Sequence, residues 1–215
     1  MTETTTGLRR ALGSPALYSA LQNLLGARSV REHVLREHLL ARPGERVLDL
    51  GCGPGDSAAL LSEVDYVGVD RNPAYIQAAR RRGYPRAEFL CADVRSLLLE
   101  PGSFDAVLAI GLLHHLDDRD AARVAGLAAA ALADDGRLVT VDPARAPGQP
   151  KTARFLIRRD RGRNVRAPEA LTRLVATHFA EVEVDCRHDL ARIPYTHAVL
   201  SCRRPRAAGA AEGPG

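Results

Sequence analysis

The stretch VLDLGCGPGD, residues 47 to 56, constrains the fold more than any other part of the chain. Four residues that read as a buried strand, one of them an acid, run straight into Gly51, Gly53 and Gly55. There the backbone must turn sharply, and a ligand can approach closer than any side chain would allow. A strand, a glycine-rich turn and a helix in that order open a parallel α/β sheet, whose ligands bind at the carboxyl ends of the strands.

The rest of the chain supplies the alternation such a sheet needs. Short apolar runs predict strands over 46–50, 66–70, 87–93, 104–110 and 137–142, with helical patterns over 57–62, 73–82 and 119–133 between most of them. A proline-led helix is expected over 168–179, followed by strands over 181–186 and 198–202. The loop joining those two strands is too short for a helical crossover, so they form an antiparallel hairpin at the sheet edge. Ahead of the sheet, residues 14–40 read as two amphipathic helices ended by Pro43-Gly44. Residues 204–215 have no large apolar side chain and are expected to be a disordered tail. The expected organisation is a helical lid over 1–42, one α/β core over 43–203 and the tail.

Composition excludes several classes. No run of eighteen apolar residues occurs and the first apolar stretch is broken by polar residues, which predicts a soluble, cytoplasmic protein with neither a spanning helix nor a signal peptide. The four cysteines, Cys52, Cys91, Cys186 and Cys202, have no metal-ligand spacing and are expected to be small buried thiols. The net charge of +4 rests almost wholly on arginine, Lys151 being the only lysine, and so says little about partners.

The glycine loop is selective about its ligand. A dinucleotide fingerprint requires glycine at the sixth position, where Asp56 stands, and a P-loop requires Gly-Lys before Ser57. Asp49 and Asp56 would repel a pyrophosphate and suit a nucleoside that carries a positive charge. Asp70 ends the second strand about twenty residues on, where a carboxylate can accept both hydroxyls of a ribose. Asp93, at the end of the third strand, is placed for an exocyclic amine such as that of adenine.

Taken together, VLDLGCGPG, YVGVD, CADV and FDAVLAIGLLHHL, in that order and spacing, resemble the class I S-adenosylmethionine-dependent methyltransferases, over roughly Arg46 to Cys202. The resemblance implies a Rossmann-like, doubly wound, seven-stranded mixed sheet with an antiparallel last strand, the N-terminal helices lying outside it as a lid. It also implies S-adenosyl-L-methionine as cofactor. Asp49 and Gly51, Gly53 and Gly55 would hold the methionine moiety, Asp70 the ribose, and Asp93 with Val94 the adenine. Arg71 and Ile110, beside these strand ends, complete the expected cofactor set with two lid residues: Tyr18 would offer an aromatic face to the sulfonium, with Gln22 one turn on.

The acceptor side is less determined. His114 and His115 follow the fourth strand; the resemblance makes His115 a structural histidine packed under the cofactor and leaves His114 facing the active site as a base. A metal site with Asp117 and Asp118 is not expected, since four consecutive ligands on a turn do not converge on one ion. His33 and His38 are five apart, off a common helical face and expected to be solvated, and His178 is expected as a surface or helix-cap residue. The basic stretch 151–166 could grip an anionic acceptor, with Arg161, Asn164 and Arg166 the candidates. The loop RHDLARIPYTH, 187–197, must cross the mouth of the site if the sixth strand runs parallel to the first five. It offers His188 or His197 as a base, sharing that role with His114, and Arg192 and Tyr195 to dock an acceptor.

Three functions remain open on the sequence: methyl transfer to a small molecule, as in secondary metabolism; use of the same cofactor for an intramolecular displacement that releases methylthioadenosine; and cofactor binding without catalysis. Few aromatics and no nucleic-acid module argue against a nucleic-acid partner, and a monomer or homodimer is expected.

Overall fold

The computed structural model describes residues 26–158 and 164–206. The chain enters through α1 (Ala27–His33), which continues without a break as a π-helical turn over Val34–Leu39. Five strands follow: β1 (Arg46–Leu50), β2 (Asp65–Asp70), β3 (Ala87–Cys91), β4 (Phe104–Ile110) and β5 (Leu132–Pro143). Between them lie α2 (Pro73–Arg81) and α3 (Asp118–Ala131), and after them α4 (Lys151–Arg158) and α5 (Pro168–Ala176). β6 (Phe179–Arg187) and β7 (His197–Pro205) close the sheet.

The strand order is β3-β2-β1-β4-β5-β7-β6. The first five strands pair in parallel, and β7 lies antiparallel between β5 and β6. The expected mixed seven-stranded sheet is therefore present, and β6 runs in the direction of the first five. Side chains alternate faces along each strand. Leu48, Leu50, Val107 and Leu200 pack with Val124 and Ala128 of α3 and Leu171 and Val175 of α5. On the other face Val47, Leu108, Val139 and Val199 pack with Ile76 and Ala79 of α2.

The second N-terminal helix is part of this core. Val30, Val34, Leu35 and Leu39 join the cluster that covers β1, β4, β5 and β7, so the helix is a layer of the sheet and not a lid apart from it. Its end is fastened by Arg137 of β5, whose guanidinium donates to the carbonyls of Leu39 and Leu40 and pairs with Glu45 at 2.6 Å.

Other boundaries move for local reasons. The helix expected over 57–62 is one 3₁₀ turn, Ala58–Leu60. α3 stops at Ala131 because Leu132 already pairs with Phe104 of β4, five residues before the strand start expected at 137. α5 stops at Ala176 because Phe179 enters β6, where it pairs with Pro205 of β7. β7 thus takes in Arg204 and Pro205, two residues assigned to the tail. Among the cysteines, Cys52 and Cys202 are buried as expected, whereas Cys91 is exposed and Cys186 half-buried. His178 is half-buried just past the end of α5: its ring lies over Gly126 of α3, where an added Cβ would sit 2.9 Å from it.

Candidate active site

The glycine loop leaves β1 with the amides of Gly51 and Cys52 both donating to the Val69 carbonyl of β2. Gly53 adopts φ +56°, and nothing lies within 4 Å of where a Cβ would stand, so its backbone faces open space. The loop is held by Asp70, whose Oδ2 accepts from the Gly53 amide at 3.0 Å while Oδ1 accepts from Asn72 at 2.8 Å. Gly55 serves packing instead: a Cβ there would meet the Phe89 ring at 3.0 Å.

Asp49 sits under the loop at 1% exposure. The Tyr66 hydroxyl donates to its Oδ2 at 2.5 Å, but Oδ1 is buried with no hydrogen-bond partner among the described residues. Burial pushes this carboxyl up to about 6, against the hydrogen bond from Tyr66 that pulls it down. Arg31 of α1 approaches the same place. Its charge acts on Asp49, one of its amino nitrogens lies 3.9 Å from Asp56, and its Nε is buried without a hydrogen-bond partner among the described residues. An unpaired carboxylate oxygen and an unpaired guanidinium nitrogen beside open glycine backbone suit a ligand with both an ammonium and a carboxylate.

The third strand tip is arranged differently from expectation. Asp93 caps a 3₁₀ turn through the Arg95 amide, and the Arg95 side chain takes both its oxygens, at 2.9 and 2.6 Å. These bonds hold Asp93 down at about 2, a fully ionised carboxylate. An adenine amine would share it with Arg95. Val94 is buried in the core, Ile110 is half-buried at the end of β4, and Arg71 is exposed beyond Asp70.

The structure reverses the burial expected of His114 and His115. His114 is buried and His115 exposed. The His114 Nδ1 lies 2.7 Å from Oδ1 of Asp142, which also accepts the His114 amide at 3.0 Å. Asp142, one residue before the end of β5, is 1% exposed, its Oδ2 having no hydrogen-bond partner among the described residues. Arg166 is not an acceptor-gripping arginine. Its guanidinium donates to the carbonyls of Leu113, Leu116 and Asn164 and pairs with Asp118 at 2.8 Å, which spends its fork on holding the loop after β4. Asn164 supports the same loop, donating its amide to the His114 carbonyl. Asp117 caps α3 and Asp118 pairs with Arg166.

The loop between β6 and β7 packs against the segment after β5 and against Gly26 ahead of α1. The Ala144 amide donates to the Thr196 carbonyl, and the Gln149 amide group to the Thr196 hydroxyl, which ties this loop to the one after β5. His188 is exposed, with Nδ1 2.9 Å from the Thr196 hydroxyl. His197 is buried opposite Pro143, next along β5 from Asp142, and its ring lies 5.2 Å from that of Tyr195. Arg192 is exposed and its backbone packs on Gly26, where a Cβ would stand 2.4 Å from the Arg192 nitrogen. Tyr18, Gln22 and Arg161 lie outside the described residues.

Sequence reasoning passed over three side chains at this site. Asp142 is an acid at a strand end, the logic that selected Asp70. Tyr66 and Arg31 have no local signal, since each acquires its role from a residue 17 or more positions away.

A methyltransferase domain model matches residues 47–136. Trans-aconitate 2-methyltransferase of Methylobacterium nodulans is 34% identical over 184 residues, covering 76% of this chain and 66% of that protein. The chain belongs to the class I S-adenosyl-L-methionine-dependent methyltransferases. Among solved members of this fold, a phospholethanolamine N-methyltransferase of Haemonchus contortus superposes with a TM-score of 0.73 at 16% identity, over 93% of this chain and 59% of that one. The [4+2]-cyclase SpnF superposes with a TM-score of 0.63 at 21% identity, over 82% and 81%. This methyltransferase chain spans no more than 35% of the length of the first curated relatives it matches. Matched relatives are named for small-molecule and for tRNA acceptors, the latter over 37% of the chain or less.

Proposed function

We propose that this methyltransferase moves the methyl group of S-adenosylmethionine to a small-molecule acceptor. The observation that carries the reading is the cradle at the end of β1: open Gly53 backbone clamped by Asp70, above a buried Asp49 oxygen that lacks a partner. When bound there, S-adenosylmethionine supplies an electrophilic methyl group on a sulfonium and departs as S-adenosylhomocysteine. Asp49 would hold its ammonium, Arg31 its carboxylate, Asp70 its ribose hydroxyls, and Asp93 with Val94 its adenine. Tyr18 and Gln22 stay candidates for the sulfonium side, and Arg71 and Ile110 for the nucleoside.

The acceptor site follows from the same strand tips. His114, oriented by Asp142, is the base that takes the acceptor's proton, since an imidazole whose other nitrogen faces a carboxylate is held in one tautomer and one orientation. The loop 188–197 positions the acceptor, with Tyr195 and His197 on the inner side and His188 and Arg192 at the rim, and Arg161 stays a candidate for an anionic acceptor. Alignment of two reactants in such a pocket can supply about 7–11 kcal/mol of the barrier, so little further chemistry is required. A small acceptor is favoured over tRNA because the trans-aconitate relative aligns over 76% of the chain, whereas the relatives named for tRNA align over 37% or less.

The test is incubation with methyl-labelled S-adenosylmethionine and pooled small metabolites, read by mass spectrometry. Label on a metabolite together with S-adenosylhomocysteine supports the reading. Methylthioadenosine without a methylated product would replace it with displacement chemistry, and a transformed metabolite with intact cofactor would point to catalysis of the kind named for SpnF.

A further inference from the structure

His33 and His38 are five residues apart, and on an α-helix that spacing puts them about 140° from one another around the axis. They meet because α1 turns into a π-helix over Val34–Leu39, closed by the Leu40 amide on the Leu35 carbonyl at 3.1 Å. In that geometry the fifth residue returns to the same face, and the two imidazoles lie 5.4 Å apart between ring centres. π-helical turns are rare overall and are frequent at functional sites.

The face they share looks onto the polar side of the edge strand. Along β6 the sequence alternates, with Glu181, Glu183, Asp185 and Arg187 on one side and Val182, Val184 and Cys186 on the other. Asp185 Oδ2 lies 3.6 Å from His38 Nε2, and one ligand atom from each of His33, His38 and Asp185 lies within 4.8 Å of the other two. We propose that His33, His38 and Asp185 form a binding site for a divalent first-row transition ion, best suited to zinc.

The ligand chemistry supports this in three ways. Two imidazoles and one carboxylate, with a position left for water, are a recurrent zinc set. Bond lengths of about 2.0–2.2 Å at tetrahedral angles place neighbouring ligand atoms about 3.3–3.6 Å apart, so His38 and Asp185 already stand at that spacing. The rings are also held. His38 Nδ1 is 3.1 Å from the Ser201 hydroxyl of β7, the outer contact that orients a ligating histidine toward its Nε2. His33 Nε2 faces a nitrogen of Arg187 at 3.4 Å, and because guanidinium only donates, His33 must present its lone pair there.

Arg187 is the competitor. The same nitrogen is 3.6 Å from Asp185, so its cation stands near the centre that a metal would occupy, while the rest of its fork holds Asp189 at 2.9 Å. Removing that charge should strengthen metal binding, whereas removing a ligand weakens it. This opposite sign separates a metal site from a plain ion-pair cluster.

The experiment is titration of the untagged, metal-free full chain with Zn2+ by calorimetry and with Co2+ by visible absorption. One equivalent should bind, with the intense Co2+ d–d bands of a four-coordinate site and no thiolate charge-transfer band. His33→Ala, His38→Gln and Asp185→Asn should each weaken binding by more than about tenfold, with unchanged circular dichroism. Arg187→Gln should tighten it several-fold. Absence of binding in the wild type, binding through thiolate, or affinity unmoved by the ligand substitutions would overturn the proposal, and so would an Arg187→Gln that weakens it.

Discussion

At the scale of the residue, Asp49 couples the fold to the cofactor through its protonation. Its carboxyl is raised from 3.8 to about 6, chiefly by burial. Between those values the folded chain keeps a proton that the unfolded chain has released, so the contribution to stability is greatest below pH 3.8 and falls as pH rises to about 6. The shift of about two units corresponds to about 3 kcal/mol, as an order of magnitude. Above that window the carboxylate is a buried anion that an ammonium can relieve. We therefore expect S-adenosylhomocysteine to bind about tenfold more weakly at pH 5 than at pH 7. Asp49→Asn should bind weakly at both; calorimetry showing a flat wild-type profile would rule the pairing out. Arg31 adds a second expectation. Arg31→Leu should weaken the same binding by about tenfold, or about 1.4 kcal/mol, with an unchanged melting temperature. No change in affinity would remove Arg31 from the carboxylate role.

At the scale of the element, two arginines hold parts of the chain that propensity alone would leave loose. Arg137 ties the end of the π-helical turn to β5 through two carbonyls and Glu45, both side chains being mostly buried. Arg137→Ala strands a buried carboxylate and should cost about 3 kcal/mol, seen as a melting temperature lower by about 6–12 °C for a chain of this size. Arg166 does the equivalent for the loop after β4, where it meets the carbonyls of Leu113 and Leu116. In Arg166→Ala, amide exchange should rise over residues 111–118 while β1 and β4 stay protected. Uniform loss of protection would mean that Arg166 holds the whole domain and not this loop.

At the scale of the whole molecule, the N-terminal helix and the sheet are one cooperative unit. Val30, Val34, Leu35 and Leu39 are buried against residues of β1, β4, β5 and β7. Each such side chain contributes about 1.5–3 kcal/mol when removed from water, and four of them amount to much of the 5–15 kcal/mol by which a domain of this kind is stable. A chain starting at residue 41 should therefore fail to give a cooperative thermal transition. If it melts cooperatively near the full-length temperature, the helix is a dispensable cover after all.

The strands β1 and β4, the glycine loop and the acids at the strand tips were legible in the sequence, because each is written by neighbours: alternation of apolar residues, a cluster of glycines, an acid where a strand stops. The parallel sheet followed from the alternation of such units, and the edge hairpin from a loop too short for a crossover. Other features required the folded chain. His114 and His115 differ by one position, and which of them is buried depends on Asp142, 28 residues from His114. The expectation that Arg166 grips an anion was reasonable from a basic stretch, yet three carbonyls and Asp118 claim its donors. His33 and His38 were placed on separate faces because α-helical periodicity was assumed, and the π-helical turn is not encoded in spacing. Arg137 binds the Leu39 carbonyl across 98 residues. Local pattern sets which way each side chain faces, whereas the partner it meets is chosen by the packing of segments distant in sequence.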